Sequence, residues 1–357
     1  MNYRIFLETH NLKNKASGLG TFNHELIKGL SHQSLGNLDL YLNVVDPKVV
    51  SEEFGTKFKY HKCYTLNRYP FFRIRRKHDL WHSVNQNTKI EPHRVSKYLL
   101  TVHDVNFFEE ISSDINHPKN KLFIEKLNRA NAITYISEFA KKQTHQHFKV
   151  PNIPEYVIHN GNPITDLLDT KNYTPSVPIE KPFLYSIGDF LERKNFLSLV
   201  EMMPYLPDYN LVLSGNNNKS YGRIIEKFIQ ENQLENQVFL TGKVDDTGKQ
   251  YYMKNCAAFV FPSIREGFGL PPIEAMRFGK PIFLSDKTSL PEIGGEYSFY
   301  WKEFNPEYMA ATFLEGLQKY NTDFAFYSQK YIERALSFSW DTAAKKYIEV
   351  YRSLLEK

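Results

Sequence analysis

"AAFVFPSIREGFGLPPIEAMRFGKP", residues 257–281, sets the reading of the whole chain. It opens on an apolar run, 257–263, of the length and composition of a buried strand. Gly267 and Gly269 follow; glycine lets a backbone approach a ligand closely and adopt unusual torsions. Pro271 and Pro272 suit the start of a helix, where a missing N–H costs little. The helix "IEAMRFG" then runs to Gly279, a natural cap, with Pro281 beyond it. Strand, glycine loop and helix make the repeating unit of a parallel α/β sheet, which binds its ligands at the carboxyl ends of strands. Glu266 stands before that loop and Glu274 in the first turn of the expected helix. A carboxylate is a pure acceptor and suits paired hydroxyls. One of the two could hold a sugar and the other a ribose, with a diphosphate on the loop amides between them. Taken alone, Glu274 reads as a first-turn residue favoured by the helix dipole.

The same alternation extends along the chain. Strands are expected at 3–9, 39–45, 79–84, 97–104 and 132–137, then at 182–188, 209–215 and 236–242. Helices are expected over 21–30, 137–148, after Glu192, over 220–232 and near 246–254. Ser137 and Ser339 are placed to cap helices. Residues 166–181 break the rhythm, with prolines at 175 and 178, and read as a linker. The chain of 357 residues therefore divides into a first Rossmann-like domain, 1–165, and a second, 182–337. A closing amphipathic helix follows over 338–357, with Trp340, Ala343, Ala344, Tyr347, Ile348, Tyr351, Leu354 and Leu355 at three- and four-residue steps.

Other strand ends carry polar groups. Gly188 ends one strand, and Arg193 and Lys194 in "SIGDFLERKNF" could neutralise a diphosphate, the arginine by its fork and the lysine as a point charge. An adjacent basic pair is otherwise a common surface feature. Gly215 ends another strand, and the backbone near Val244 is open to a base. His103 and Asp104 end a strand in the first half, although a lone histidine is more often structural than catalytic. "SGLGTF", 17–22, lacks the third glycine of a dinucleotide fingerprint, since Asn23 takes that place; Gly18 and Gly20 read as a loop offering amides to a phosphate.

Composition narrows the classes. Aromatic residues make up 15%, suited to cores and to stacking on bases and sugars. Two distant cysteines, Cys63 and Cys256, exclude a disulfide or metal framework and fit a reducing compartment. No signal-like N-terminus and no long apolar run is present, so a cytoplasmic protein is expected. Residues 1–170 carry 23 Lys and Arg against 17 Asp and Glu, and residues 171–357 carry 22 against 23. The basic excess peaks in "NRYPFFRIRRKHD", 67–79, where Arg73, Arg75, Arg76 and Lys77 interleave with aromatics. Such a segment suits an anionic membrane surface or acceptor, or is a solvated basic loop.

Together these motifs resemble the retaining glycosyltransferases of family 4, with the GT-B fold. The resemblance rests on Glu266–Gly267–Phe268–Gly269–Leu270–Pro271, Glu274–Ala275–Met276 and Gly279–Lys280–Pro281, similar to that family's pair of glutamates seven residues apart. "HD" at 103–104, "YISEFAKK", "IHNGN", "RKN", "SLPEIGG" and the closing "FSWDTAAKKYIEVYRSLL" extend it over most of the chain. It implies two Rossmann-like domains facing a cleft, with the last helix crossing back to the first domain. It implies that Glu266, with the Gly267–Leu270 loop, binds the donor sugar, Glu274 the ribose, and Arg193 and Lys194 the diphosphate, helped by Gly18 and Gly20. His103 would contact the sugar. Asp189 stands where many members have arginine, which leaves the diphosphate more dependent on Arg193 and Lys194. No D-x-D metal motif is evident, and neither metal nor cofactor is expected. The implied partners are a nucleotide-diphosphate sugar, with a lean to GDP-mannose and UDP-sugars open, and a saccharide or lipid-linked acceptor at the inner face of a membrane, but no nucleic acid. The implied process is bacterial surface-polysaccharide assembly, with retention at the anomeric carbon. A nucleotide-sugar epimerase or hydrolase and a non-catalytic sugar-nucleotide binder stay open; the missing third glycine argues against a nicotinamide-dependent dehydrogenase.

Overall fold

A computed structural model describes residues 2–15 and 17–356. The chain divides into two compact units, one formed by residues 1–163 with 338–357 and the other by 164–337.

The first unit holds a seven-stranded sheet of β1 (Tyr3–Leu7), β2 (Leu38–Val44), β3 (Lys59–Lys62), β4 (Leu80–Ser83), β5 (Lys97–Val102), β6 (Ala132–Tyr135) and β7 (Glu155–Val157). Their spatial order is β3-β2-β1-β4-β5-β6-β7, and every pairing is parallel. The order reverses between β1 and β4. On one face Phe6 stacks on Trp81 with centroids 4.0 Å apart, and Phe123 and Leu127 of the Pro118–Arg129 helix join that core.

The other face is covered by the Gly18–His32 and Trp340–Leu355 helices. The closing helix thus belongs to the first unit. Ser339 caps it by accepting from Thr342 N–H. Its buried stripe includes the expected residues as far as Leu354 and adds Val350; Leu355 is only half-buried. The close fit leaves no room for a side chain at two glycines: a Cβ on Gly29 would lie 2.6 Å from the Trp340 carbonyl oxygen, and one on Gly161 2.1 Å from Trp340 N. His82 joins the helix to the sheet, with Nδ1 2.8 Å from the Tyr351 hydroxyl and Nε2 2.7 Å from that of Thr101.

The second unit repeats the plan with β8 (Phe183–Ile187), β9 (Asn210–Ser214), β10 (Val238–Gly242), β11 (Ala258–Phe261), β12 (Ile282–Ser285) and β13 (Phe299–Trp301). Their order is β10-β9-β8-β11-β12-β13, again all parallel, with the reversal between β8 and β11. The proline-bearing stretch 166–181 has no regular structure and packs against this unit. Tyr173 rests on Tyr251, and Leu168 N–H donates to the Gln250 amide.

Candidate functional site

An open parallel sheet leaves a crevice where its strand order reverses, because neighbouring crossovers there leave on opposite faces. In the second unit that point lies between β8 and β11. The residues following those two strands are the expected basic pair and the first expected glutamate.

After β8 the chain makes a short 3-10 turn, Glu192–Lys194. Asn195 then takes a left-handed conformation, φ 55°, from which the Phe196–Met202 helix starts. This turn sends Lys194 back under the strand end. Its Nζ sits 4.7 Å above the Phe261 ring and 2.5 Å from Oε1 of Glu266. Arg193 places Nη1 3.6 Å from the second carboxylate oxygen and donates to the Arg265 carbonyl at 3.1 Å. Ser263, at the end of β11, fills the remaining gap, its Oγ 2.7 Å from Glu266 Oε1 and 2.9 Å from the Arg193 carbonyl oxygen. Lys194 and Glu266 are both buried.

The charges follow from this geometry. Burial alone would raise the Glu266 carboxyl, but Lys194 and then Arg193 outweigh it and hold the group below the usual carboxylate range. Lys194 has the opposite balance. Burial lowers its ammonium, and one carboxylate offset by a neighbouring arginine does not restore it. The glutamate faces two cations and stays charged, and the lysine is the group whose charge is poorly compensated.

The glycine loop is anchored from the other side. Glu266 N–H donates to Thr288 Oγ1, and Ser289 Oγ reaches the carbonyls of Glu266 and Phe268 at 3.1 and 2.7 Å. Gly269 needs to be glycine: its φ is +108°, and a Cβ would meet Leu290 at 2.9 Å. The same is true of Gly215, where φ is +142° and a Cβ would lie 1.8 Å from the Gly188 carbonyl oxygen. The ends of β8 and β9 are thereby brought together. Gly188 and Gly215 flank the Lys194 turn, whereas Val244 follows the edge strand β10.

Glu274 is placed differently from the sequence expectation. The helix is Leu270–Met276, so both prolines lie inside its first turn, and Glu274 falls at the fifth residue. Favour from the helix N-terminus therefore does not account for it. It is buried beside Lys249 of the Asp246–Asn255 helix, with Nζ 3.4 Å from its Oε1. Burial would lower the Lys249 ammonium; Glu274 and Asp246 more than reverse this and leave it raised. Lys249, Ser263, Thr288 and Ser289 were not singled out in sequence. Ser289 belongs to "SLPEIGG", but only the fold shows that its hydroxyl supports the loop.

In the first unit one expectation changes. Gly18 and Gly20 form the first turn of the Gly18–His32 helix rather than a loop, because Ser17 is its N-cap and accepts from Gly20 N–H. A Cβ on Gly20 would lie 1.7 Å from the Asn14 carbonyl oxygen, so packing of the preceding turn explains that glycine. His103 is buried at the end of β5. Its Nε2 lies 2.8 Å from the Val84 carbonyl oxygen and must carry the proton there. Burial pushes its pKa down to about 4. The ring is therefore neutral, and Nδ1 is left as an acceptor.

The basic segment is displayed on the surface. Tyr64, Leu66, Tyr69, Phe71 and Phe72 are exposed, Phe71 at 76%. Arg75, Arg76 and Lys77 are exposed and Arg73 half-buried, with the Arg76 guanidinium 4.9 Å from the Tyr41 ring centre. Among the described residues no cluster of His, Cys, Asp and Glu is arranged to hold a metal, and no helix is long and apolar enough to cross a membrane.

Residues 170–331 match the family model described as glycosyl transferases group 1. O-antigen chain mannosyltransferase B of Escherichia coli is 27% identical over 286 residues, covering 74% of this chain and 72% of that one. The serotype-specific mannosyltransferase WbdA of Escherichia coli is 28% identical over 265 residues, covering 66% of this chain but only 30% of WbdA. Among solved structures, a glycosyltransferase from Rickettsia africae superimposes with a TM-score of 0.75 at 17% identity, over 100% of this chain and 99% of that one.

Proposed function

We propose that this chain, a GT4-like glycosyltransferase of the bacterial surface-polysaccharide type on the GT-B fold, moves mannose from GDP-mannose to a saccharide or lipid-linked saccharide, with retention. One observation carries the reading. Arg193, Lys194 and Glu266 meet at the strand-order reversal of the second unit, where a nucleotide-sugar would lay its diphosphate and sugar side by side. The lean to mannose rests on the names of the two relatives above, both mannosyltransferases.

In the proposed reaction the bond from the anomeric carbon to the diphosphate oxygen breaks. A bond to the acceptor hydroxyl forms on the same face, and the hydroxyl proton passes to a phosphate oxygen of the leaving group. Lys194 is suited to the departing charge. Its ammonium is buried and under-compensated, so an arriving diphosphate supplies anionic charge that Glu266 alone does not. Glu266, oriented by Lys194 and Ser263, accepts from sugar hydroxyls. Glu274, set by Lys249, accepts from the ribose. No step draws on a metal. The exposed aromatic and basic segment, 64–77, rests on an anionic membrane surface where a lipid-linked acceptor is presented.

Thermal unfolding against GDP, UDP, GDP-mannose and a set of UDP-sugars tests the donor. A specific ligand at 100 times its Kd stabilises by about 2.7 kcal/mol, and GDP-mannose should do so. Stabilisation by a UDP-sugar alone would transfer the donor assignment to it. No response to any nucleotide would refute the enzyme reading. Proton NMR of the product's anomeric centre decides retention.

A further inference from the structure

Asp189 is out of place by charge. It is the second residue after β8, in the segment that leads to Arg193 and Lys194, and an aspartate there repels the diphosphate that those two cations would hold. Its backbone is fixed on both sides. Gly188 N–H donates to the Ser214 carbonyl oxygen at 2.9 Å and Phe190 N–H to that of Asn216 at 3.3 Å, which ties the segments after β8 and β9 together. A Cβ on Gly188 would lie 3.5 Å from Cε of Lys194, so the residue before Asp189 rests on the lysine itself. The carboxylate is felt there: burial lowers the Lys194 ammonium, and Glu266 and, more weakly, Asp189 draw it back up.

Lys219 faces Asp189. It is the last residue before the Ser220–Glu231 helix, and its Nζ lies 2.8 Å from Asp189 Oδ2. The pair thus spans the carboxyl ends of β8 and β9. The aspartate keeps 52% of its side-chain surface exposed and the lysine 36%, and an exposed ion pair adds little to stability. Its consequence is electrostatic. Without Lys219, Arg193 and Lys194 would stand against Glu266 and Asp189, two charges against two, and those four side chains would offer a diphosphate no net attraction. With Lys219 the balance turns positive.

We infer that Lys219 is a positioning residue for the donor: it neutralises Asp189 across the ends of β8 and β9 and so keeps the Arg193–Lys194 turn open to a diphosphate. That the anion is the donor's diphosphate rests on the glycosyltransferase reading above. Lys219 acts here through Asp189, not by touching the phosphates, and this separates it from Arg193 and Lys194.

Calorimetric titration of the full chain with GDP, UDP and inorganic pyrophosphate tests the role. Lys219→Ala should weaken the nucleotide that the wild type takes, and pyrophosphate, by at least about fivefold at low ionic strength and by less at high salt. Asp189→Asn/Lys219→Ala should return to within about twofold of wild type, because the charge that Lys219 neutralises is gone. Both side chains are exposed, so the melting temperatures of these variants should stay at the wild-type value. Lys227→Ala removes an equal charge, paired with Glu231, about 12 Å further along the same helix and should leave the affinities unchanged. Equal affinity in Lys219→Ala and wild type overturns the inference. Weak binding that persists in the double variant also overturns it, since Lys219 would then touch the phosphates itself. Pyrophosphate binding that depends on Lys219, with no response to either nucleotide, would sink the donor reading and leave the charge balance standing. No binding of any of the three by the wild type overturns both.

Discussion

Nζ of Lys194 lies 2.5 Å from Oε1 of Glu266, so the two residues expected to serve phosphate and sugar hold each other directly. Replacing the lysine therefore has two effects. Lys194→Ala removes a preorganised cation at the leaving group, worth roughly 3–4 kcal/mol in comparable sites, and turnover should fall ~100-fold or more. It also leaves a buried carboxylate with the Ser263 hydroxyl and the more distant Arg193 as its remaining cation, which should cost about 3 kcal/mol of stability. The double variant Lys194→Ala/Glu266→Gln separates the effects. Urea unfolding should recover much of the lost stability, and turnover should stay low. Turnover of Lys194→Ala within threefold of wild type would remove Lys194 from the reaction.

Lys249 is expected to act through Glu274. Its 3.4 Å contact fixes the carboxylate without reaching the reacting centre in the proposed reaction. A hydrogen bond to a charged group is worth about 1.5–3 kcal/mol. Lys249→Met should raise KM for the nucleotide-sugar on the order of tenfold or more and leave kcat within about twofold, the signature of lost uniform binding. Lys249→Arg should restore part of the affinity. An unchanged KM in Lys249→Met would disconnect this pair from donor binding.

Local pattern carried much of the architecture. Strands such as Phe183–Ile187 and Ala258–Phe261 are short apolar runs between turn residues, and the closing helix shows its stripe directly. Less legible were the edge strands Lys59–Lys62 and Glu155–Val157. Each is exposed or half-buried along its length, so no apolar pattern marks it. The Glu266 cluster was legible as residue types, because "RK" and "EGFG" each follow a strand. Its support was less so: Thr288 and Lys249 come from other segments and are joined only by tertiary contact, and nothing in sequence marks Ser263, three residues before Glu266, as its partner. Gly20 begins a helix instead of lying in a loop, and its packing against Asn14 has no mark in sequence.

The segment 64–77 should bind anionic vesicles through two separable contributions. Each basic side chain near such a surface is worth about 1 kcal/mol. Arg75→Ala/Arg76→Ala/Lys77→Ala should lower partitioning into phosphatidylserine vesicles on the order of 100-fold at low salt, with a smaller difference at high salt. Phe71→Ser/Phe72→Ser removes exposed apolar area and should weaken binding at both ionic strengths. Sedimentation with vesicles reads both. Salt-insensitive absence of wild-type binding would count against a membrane role.

Acid should loosen the first unit before it discharges the carboxylates. Burial pushes His103 down to about 4 and His82 down to about 3, against an ordinary value of 6.5. Below 6.5 the unfolded chain binds protons at these two sites that the folded chain refuses, so stability falls as pH drops towards those lower values. One pKa unit corresponds to about 1.4 kcal/mol, so the loss by the end of each window is on the order of 3 kcal/mol for His103 and 5 kcal/mol for His82. The lowered Glu266 carboxyl acts later: its stabilisation is present above the unfolded glutamate value of 4.5 and is lost as pH falls through its folded value. Unfolding midpoints in urea should therefore decline from pH 6.5 to pH 4.5 chiefly through the histidines. His82→Gln/His103→Gln keeps uncharged hydrogen-bonding groups and should flatten that decline, although its stability at pH 7 will be lower. Equal slopes in wild type and double variant would show that these rings are not what acid attacks first.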